Sequence, residues 1–380
     1  MFCKLVFMNS PVWDDGRWQS LPSLMRDVET DVCVIGLGGS GLSCIHELLD
    51  LGQKVIGLDA GMVAGGAAGR NGGFLLAGLA AFYHDAVKVL GRDRAKAIYQ
   101  LTLEQTGRIL EETPDACNQT GSLRIALDDE AFEDCKKQYD ALKLDGFPVE
   151  HYRGKEGRGL LFPVDAAFNP LQRCRILAEQ ALERGANLYE NSPVIDIQSH
   201  EVRTDKALIH CQHVVVAVDG RLEVIFPEIK DRVRTSRLQM LGTAPTNEVR
   251  VPRPVYLRWG YEYYQQLSNG SIALGGFRDH ALDEEWTVSM EPGKTIQDKL
   301  TAFLRTHIGV RAPITHRWAA SVSYTDGVLP FFKEVRSNVW GIGAYNGTGN
   351  IIGAICGRAV AQKVIKGSSN VADLLTESCS

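Results

Sequence analysis

Three glycines follow an apolar run near residue 30 at a spacing that suits the binding of phosphate groups. Residues 31–35 read Asp-Val-Cys-Val-Ile, and Gly36, Gly38 and Gly41 follow in a GxGxxG pattern. The first glycine permits a tight turn, the second lets the backbone approach a pyrophosphate, and the third lets a helix pack closely against a strand. The amides and partial positive charge at the start of that helix would bind the phosphates.

A carboxylate follows this motif at the distance expected for a ribose-binding acid. A second largely apolar run, residues 54–58, ends at Asp59, which is 59 − 36 = 23 residues beyond Gly36. The expected separation is about 20 residues, and an acid here disfavours a 2′-phosphate. The order of strand, glycine turn, helix, strand and acid predicts a dinucleotide-binding βαβ unit, with a purely structural turn as the alternative. The motif does not separate NAD from FAD.

Two further glycine-rich segments indicate that more than a mononucleotide is bound. Residues 63–76 contain five glycines among small residues. Their backbone is expected to pass close to a flat group or to another backbone, with a flexible surface loop as the alternative. Residues 338–349 form a predicted strand and glycine-rich turn, and a predicted helix over residues 351–365 follows. A mononucleotide site would not need this second turn.

Composition excludes several other classes of function. The 380 residues are 44% hydrophobic and carry a net charge of −5, which offers no broad attraction to nucleic acid or anionic membranes. The nine cysteines form no CxxC motif and the nine histidines no ligand spacing, so no metal site is expected. No secretory leader or membrane-spanning run is recognisable. We therefore expect a soluble, cytoplasmic protein with reduced thiols, no transmembrane segment and no nucleic-acid partner.

Hydrophobic periodicity and turn residues predict the elements that position these segments. Residues 235–290 alternate aromatic and polar positions and are predicted to form an antiparallel sheet. Because a glycine-rich turn occurs again near the end of the sequence, the chain is expected to leave the nucleotide domain and return to it. Helices are predicted over residues 83–112, 129–144, 170–184 and 294–306, and strands over residues 121–127, 194–197, 207–211 and 213–218.

Seven segments in register resemble the superfamily of FAD-dependent amine and amino-acid oxidoreductases that includes D-amino-acid oxidase, glycine oxidase and sarcosine oxidase. The resemblance covers nearly the whole chain. The Arg-Asn-Gly-Gly sequence at residues 70–73, with Pro11-Val-Trp13 before the first strand, looks most like the γ-glutamylputrescine oxidase branch. The segments are the fingerprint ending at Asp59, residues 69–73, the helix opening at Pro170, and residues 191–194, 275–278, 326–330 and 343–349.

The resemblance implies an α/β fold in which a Rossmann-like FAD-binding domain is interleaved with an α+β substrate domain built on a mostly antiparallel sheet. FAD would be bound non-covalently, since no cysteine lies near residues 317–322, where sarcosine oxidases attach the flavin. The expected FAD-binding domain comprises residues 1–82, 155–225 and 315–380, and the expected substrate domain comprises residues 83–154 and 226–314.

Three features depart from the family pattern. The common Ala-Thr-Gly is replaced by Ala-Val-Asp-Gly at residues 217–220, and Asp59 stands where the family usually has glutamate. Residues 272–276 read Ile-Ala-Leu-Gly-Gly, without the lysine by which sarcosine oxidases activate oxygen. The electron acceptor is therefore either oxygen or an unknown compound.

The resemblance also implies roles for particular residues in binding FAD. The first glycine turn would hold the pyrophosphate, Asp59 the adenosine ribose, and the backbone of Val194 the adenine. Residues 70–74 would lie along the flavin, and residues 347–349 would approach its pyrimidine edge, where amides and a helix dipole stabilise negative charge. The candidate cofactor-binding residues are Gly36, Gly38, Gly39, Ser40, Gly41, Asp59, Ala60, Gly61, Gly69, Arg70, Asn71, Gly72, Gly73, Phe74, Val194, Gly343, Asn346, Gly347, Thr348 and Gly349.

The expected reaction transfers a hydride from a carbon next to nitrogen in a small amine or amino acid to the flavin, and the resulting imine hydrolyses. Arg278 is the candidate for a substrate carboxylate, because a guanidinium binds carboxylates bidentately. A solvated strand-end arginine or a structural ion pair is the alternative. Tyr263, Trp318 and Tyr345 complete the candidate catalytic set, with packing in a core as the alternative for each.

Three functions remain open on sequence grounds. An FAD-dependent amine or amino-acid oxidoreductase, acting as an oxidase or as a dehydrogenase, accounts for every segment. A nicotinamide dehydrogenase would use the first motif alone and leave the turn at residues 343–349 without a purpose. A flavin-binding subunit without its own activity is the third.

Overall fold

The computed structural model describes residues 7–376. Its strands are β1 (Phe7–Met8), β2 (Val28–Ile35), β3 (Val55–Leu58), β4 (Phe74–Leu75), β5 (Cys117–Asn118), β6 (Ser122–Ala126), β7 (Glu150–Gly154), β8 (Gly157–Phe162), β9 (Ala166–Phe168), β10 (Asn187–Tyr189), β11 (Val194–Gln198), β12 (Glu201–Thr204), β13 (Leu208–Val216), β14 (Val233–Thr243), β15 (Val255–Leu257), β16 (Glu262–Gln266), β17 (Ile272–Gly276), β18 (Ile314–Thr325), β19 (Phe331–Arg336) and β20 (Val339–Gly343).

The helices alternate with these strands. They are α1 (Gly39–Asp50), α2 (Ala67–Arg70), α3 (Tyr83–Leu90), α4 (Arg92–Glu112), α5 (Asp129–Leu144), α6 (Pro170–Glu183), α7 (Leu222–Ile225), α8 (Leu282–Glu285), α9 (Lys294–Phe303), α10 (Ile352–Lys366) and α11 (Asn370–Leu375). Short 3₁₀ turns occur at Pro114–Ala116, Pro227–Ile229, Arg258–Gly260 and Arg278–Ala281, and a π-helical turn at Leu304–Ile308 extends α9.

The chain folds into two compact units, each built from three separate segments. The sheet unit contains the described residues up to Asp15 together with Arg70–Asn169 and Ser236–Ser321. The nucleotide unit contains Gly16–Gly69, Pro170–Thr235 and the described residues from Val322 onwards.

These units differ from the predicted domain boundaries. Residues 7–15, 70–82, 155–169 and 315–321 lie in the sheet unit, and residues 226–235 lie in the nucleotide unit. Strand pairing explains most of this difference, because β8 pairs with β6 and β7, β9 pairs with β4 and β5, and β1 pairs with β18.

The nucleotide unit contains a mixed sheet in the order β10-β3-β2-β13-β12-β11, to which β20 and β19 are added beside β13. The central pairs β10–β3, β3–β2, β2–β13 and β13–β20 are parallel. All of β3 and the second half of β2 are buried, as expected of strands covered on both faces. This topology confirms the predicted α/β, Rossmann-like architecture.

One prediction about this sheet was wrong. Residues 207–211 and 213–218 were predicted as two strands, but they form the single strand β13. The strand is continuous because its first half pairs with β12, its last three residues pair with β20, and both parts pair with β2.

Helix α10 crosses α1 with almost no side chain between them. A Cβ atom on Gly357 would lie 2.1 Å from the carbonyl oxygen of Ser40, so only glycine permits this approach. Most of α10 is buried, and its Arg358 lies 3.7 Å from the carboxylate of Glu47 on α1. The crossing therefore joins the first glycine turn to the last long helix of the chain.

The sheet unit is built on a nine-stranded sheet in the order β1-β18-β14-β17-β16-β15-β6-β8-β7. The pairs β14–β17, β17–β16, β16–β15, β6–β8 and β8–β7 are antiparallel, whereas β15–β6 and β1–β18 are parallel. A mostly antiparallel sheet is what the sequence predicts. The helix predicted over residues 83–112 is two helices, because Gly91 between them has a φ of +80°.

Two predictions from composition bear on this fold. The described cysteines are free thiols, and Cys3 and Cys379 lie outside the described residues. Among the described helices, none is both long and apolar enough to cross a membrane.

Asp165 is a buried acid at the edge of the sheet unit. Only 3% of it is exposed, and its carboxylate accepts hydrogen bonds from the amide of Ala77 at 3.0 Å and from the hydroxyl of Ser122 at 2.6 Å. Burial outweighs these hydrogen bonds and raises the pKa of Asp165 to about 7.

Asp165→Asn should reduce the pH dependence of stability. The folded-state pKa of about 7 exceeds the roughly 3.9 of an unfolded aspartate, so the folded protein binds more protons between these values. The contribution of Asp165 to the free energy of unfolding therefore falls as the pH rises from 4 to 7. Thermal unfolding at several pH values should show the variant gaining stability relative to the wild type over this range. A difference that does not change with pH would contradict this assignment.

Candidate functional site

The first glycine turn exposes backbone at the start of a helix. Gly36 has a φ of +104°, and a Cβ atom on Gly41 would lie 1.9 Å from the carbonyl oxygen of Gly36. Gly38 precedes α1 with no side-chain hydrogen bond capping the helix, and the first turn of α1 contains no acid. The amides of Gly39 and Ser40 at this N-terminus therefore suit an anionic group.

Asp59 joins the end of β3 to this turn. Its Oδ2 accepts a hydrogen bond from the amide of Leu37 at 2.9 Å, and its Oδ1 accepts one from the amide of Gly61 at 2.9 Å. Burial raises the pKa of Asp59 despite these two bonds. Each carboxylate oxygen can accept a further hydrogen bond, so the group suits the ribose hydroxyls while also fixing Ala60 and Gly61.

Glu190 is a buried acid next to the partly buried Asp59, and sequence reasoning missed it. It is fully buried and accepts hydrogen bonds from the indole of Trp18, the amide of Leu21 and the amide of Val63 at 2.6–2.9 Å. It therefore fixes the start of the glycine-rich segment that contains Gly69. No local pattern signals this role, because its partners come from two other parts of the chain.

The C-terminal glycine turn is held by side chains that the family resemblance predicts to bind the cofactor. The side chain of Asn346 accepts a hydrogen bond from the backbone amide of Thr325 at 2.8 Å and donates one to the carbonyl of Gly327 at 3.0 Å. The hydroxyl of Thr348 donates to the carbonyl of Tyr345 at 2.7 Å. The backbone from Gly343 through Gly347 and Gly349 then leads into the N-terminus of α10.

Asp219 fixes the other side of this turn. Its carboxylate accepts hydrogen bonds from the amides of Ser323, Ala344 and Tyr345. Burial raises the pKa of Asp219 to about 7 despite these hydrogen bonds. The sequence showed only that Asp219 departs from the family pattern, and the structure supplies its role in positioning the turn.

Tyr345 and Trp318 are interior residues. Tyr345 is 4% exposed, and its ring packs against Gly349 and Gly353 inside the nucleotide unit. Trp318 is fully buried in the sheet unit, and its indole nitrogen donates to the carbonyl of Arg70 at 2.9 Å. Both residues fix backbone that was predicted to contact the cofactor, and a direct contact of either residue with substrate stays a prediction.

The Arg-Asn-Gly-Gly loop of the sheet unit has each of its carbonyls held by a donor from elsewhere in the sequence. Besides Trp318, the indole of Trp13 donates to the carbonyl of Asn71 at 3.0 Å. The amide of Gln265 donates to the carbonyls of Gly72 and Gly73 at 2.5 and 2.9 Å. These bonds fix the backbone path of the loop into Phe74.

Arg70 has its guanidinium inside the sheet unit. The guanidinium donates to the side chain of Asn9 at 2.8 Å and to the carbonyl of Ala319 at 3.1 Å. Burial lowers the pKa of Arg70. The structure thus places this side chain on protein atoms, and its predicted reach to a phosphate stays a prediction.

Tyr263 lies against the same loop. A Cβ atom on Gly72 would lie 2.8 Å from the Tyr263 ring. A Cβ atom on Gly275, which lies on the neighbouring strand β17, would be 2.5 Å from the same ring. The rings of Phe74 and Tyr263 meet edge to face with centroids 5.9 Å apart. The structure therefore brings together the loop predicted to line the flavin and one of the predicted substrate contacts.

Arg278 lies in the turn that follows β17. The preceding Phe277 has a φ of +66°, which turns the chain sharply after the strand. The Arg278 guanidinium is 5.8 Å from the ring of Tyr261 and 5.6 Å from the ring of Trp286. Two aromatic rings thus position a cation in the sheet unit that contains Tyr263.

Two clusters of histidine and acids in the sheet unit have metal-like spacing. One contains His84, Asp85 and Asp134, and the other contains Glu262, Asp279 and His280. Each cluster already binds a guanidinium, since Arg124 lies 2.6 Å from Asp134 and Arg258 lies 2.9 Å from Asp279. The guanidinium in each cluster would repel a metal ion bound at the same place.

The nucleotide unit has the features that a dinucleotide requires. Its glycine turn has no room for side chains, its first helix has no side-chain cap, and a carboxylate with spare acceptor capacity ends β3. Val194 begins β11, where its backbone was predicted to contact adenine. These residues fit the diphosphate and ribose of FAD.

Comparison with known proteins gives the same result for most of the chain. Residues 31–363 match the model of the family described as FAD dependent oxidoreductase, abbreviated DAO. The chain belongs to this family, and it is an FAD-dependent oxidoreductase.

Individual relatives are distant in sequence. The gamma-glutamylputrescine oxidoreductase of Escherichia coli (strain K12) is 24% identical over 91% of this chain and 86% of its own length. The probable oxidoreductase OrdL of Haemophilus influenzae is 24% identical over 90% of this chain and 85% of its own.

Solved structures share the fold. Glycine oxidase from Geobacillus kaustophilus has a TM-score of 0.76 and 17% identity, with coverage of 94% of this chain and 100% of its own. L-proline dehydrogenase from P. horikoshii has a TM-score of 0.73 and 20% identity, with coverage of 92% and 96%.

Gln265→Leu should weaken FAD binding, because it removes the donor to the Gly72 carbonyl and one of two donors to the Gly73 carbonyl, which also accepts the amide of Phe168 at 2.9 Å. An unsatisfied buried carbonyl costs about 1–3 kcal/mol, which the loop would avoid by moving. We expect the FAD dissociation constant, measured by flavin fluorescence, to rise about tenfold or more.

Gln266→Leu is the matched control. Neighbouring residues of a strand face opposite sides of the sheet, and the Gln266 amide donates to the carbonyls of Thr246 and Gly270 at 3.1 and 3.2 Å. This variant should lower the unfolding temperature and leave FAD binding unchanged. Equal FAD binding by the wild type and Gln265→Leu would refute the role given to Gln265.

Proposed function

We propose that this FAD-dependent oxidoreductase oxidises the C–N bond of a small amine or amino acid. The observation that carries the proposal is the contact of Tyr263 with Gly72, since it sets an aromatic side chain against the loop that the family resemblance assigns to the flavin. The names of the relatives support the substrate class, because they include a gamma-glutamylputrescine oxidoreductase and a glycine oxidase. The free thiols described above suit the cytoplasm, which is the proposed location.

FAD, when bound, supplies an acceptor for a hydride from the substrate carbon next to nitrogen. The residues of the chain bind and orient the substrate. Tyr263 and Phe74 form an apolar wall that excludes water, and such a wall favours the neutral amine over the ammonium ion. Arg278 provides a guanidinium for a substrate carboxylate, and Tyr261 and Trp286 hold it in place. The oxidised product is an imine, which water hydrolyses to a carbonyl compound.

A dehydrogenase that uses an acceptor other than oxygen is the second candidate. The five residues of β17 are all buried and contain no lysine, so this strand offers no cation to activate oxygen beside Tyr263. L-proline dehydrogenase is among the structural neighbours and shares the fold.

Anaerobic addition of amines and amino acids should bleach the flavin absorbance of the purified protein with one class of substrate. Recovery of the bands when air is admitted would identify an oxidase, and persistent bleaching would identify a dehydrogenase. A flavoprotein that no amine or amino acid bleaches would contradict the proposal and favour a flavin-binding subunit without activity.

Arg278→Met should raise KM for amino acids by about 10–100-fold, because a charge-assisted bidentate pair with the carboxylate is lost. Arg278→Lys, which keeps the charge but not the fork, should give an intermediate KM. The matching amine without a carboxylate is the internal control, and its KM should stay within a few-fold of the wild type. Equal losses for both substrates would assign Arg278 to the structure of the turn instead.

A further inference from the structure

Arg173 is a buried cation for which the described part of the chain provides no counter-charge. It lies in the first turn of α6 and is 2% exposed. Its Nε and Nη2 atoms are shielded from solvent and have no hydrogen-bond acceptor among the described residues. Sequence reasoning gave this residue no role, because an arginine on a helix is ordinary until its surroundings are known.

The other buried arginines are paired. Arg124 lies 2.6 Å from the carboxylate of Asp134, and Arg358 lies 3.7 Å from that of Glu47. A guanidinium stays charged at any pH at which proteins fold, and burying it without an anion is strongly unfavourable. Arg173 therefore differs from the other two in having no ion pair with any residue that the structure describes.

The position of the guanidinium indicates which anion this is. Its Nη1 atom lies 3.4 Å from the place that a Cβ atom of Gly39 would take. Gly39 is the first residue of α1, whose N-terminus has no capping side chain and no acid in its first turn. The Nη1 end of a charged guanidinium thus lies beside the amides of a helix N-terminus at the glycine turn, and both would attract a doubly charged diphosphate.

We propose that Arg173 binds the diphosphate bridge of FAD. The proposal rests on the binding of FAD and is independent of the substrate that the enzyme oxidises. In this arrangement the glycine turn supplies backbone amides, and Arg173 supplies the compensating charge from α6. Part of the affinity for FAD then comes from the diphosphate, because it supplies a counter-charge to a guanidinium that is otherwise buried without one.

Arg173→Met tests the proposal in the purified holoenzyme without substrate. Methionine preserves most of the length of the aliphatic stem and removes the charged guanidinium. We expect the FAD dissociation constant, read from flavin fluorescence on serial dilution, to rise 10–100-fold. The unfolding temperature of the flavin-free protein should stay equal or rise, because an unpaired buried charge has been removed. A structural arginine would instead lower the unfolding temperature and leave FAD binding unchanged, and that result would overturn the proposal.

Arg184→Met is the matched control, at the residue that directly follows the C-terminal end of the same helix. Arg184 lies 2.6 Å from Asp50 and is partly exposed, so its loss removes one charge without approaching the glycine turn. FAD binding should then be unchanged, and weakening equal to that of Arg173→Met would also overturn the proposal. If Arg173→Met does not fold, Arg173→Lys decides the question. A folded lysine variant with several-fold weaker FAD binding supports the proposal, and one with wild-type affinity refutes it.

Discussion

The direct contact between α1 and α10 is the constraint on which the nucleotide unit depends. Because Gly357 brings one helix onto the carbonyl of Ser40, the first turn of α1 is held by backbone and not by adaptable side chains. Tyr345 packs beside this crossing against Gly349 and Gly353, so the same contact positions the C-terminal turn. Two segments from opposite ends of the sequence are thus fixed relative to each other, and each offers a helix N-terminus.

The sheet unit reaches a similar result by other means. Its Arg-Asn-Gly-Gly loop has few side chains to pack, and the indoles of Trp13 and Trp318 and the amide of Gln265 hold its carbonyls instead. In both units, backbone forms the surface predicted to meet FAD, and buried polar side chains behind it fix its shape. This division suits a flat, polar cofactor whose chemistry requires orientation more than it requires protein side chains.

The sequence predicted those parts of the molecule that depend on local patterns. GxGxxG spacing and the acid at Asp59 predicted a dinucleotide-binding βαβ unit, and the aromatic alternation around Tyr263 predicted the antiparallel sheet. The family resemblance supplied the interleaved fold and the choice of FAD. Contacts across hundreds of residues were not predictable in this way. Glu190 and Asp219 acquire their positioning roles only through such contacts, and the role proposed for Arg173 rests on one. The side chains of Asn346 and Thr348 hold the C-terminal turn, and their contact with FAD stays a prediction.

The crossing of α1 and α10 also bears on the order in which the protein acquires its parts during synthesis. The two helices are separated by 352 − 50 = 302 positions along the chain. At a translation rate of about 5–20 residues per second, α1 waits roughly 15–60 s for its partner. Throughout that interval the face of α1 that α10 covers in the folded protein lacks this partner. The first glycine turn therefore reaches its final packing only after α10, and with it nearly all of the chain, has been synthesised.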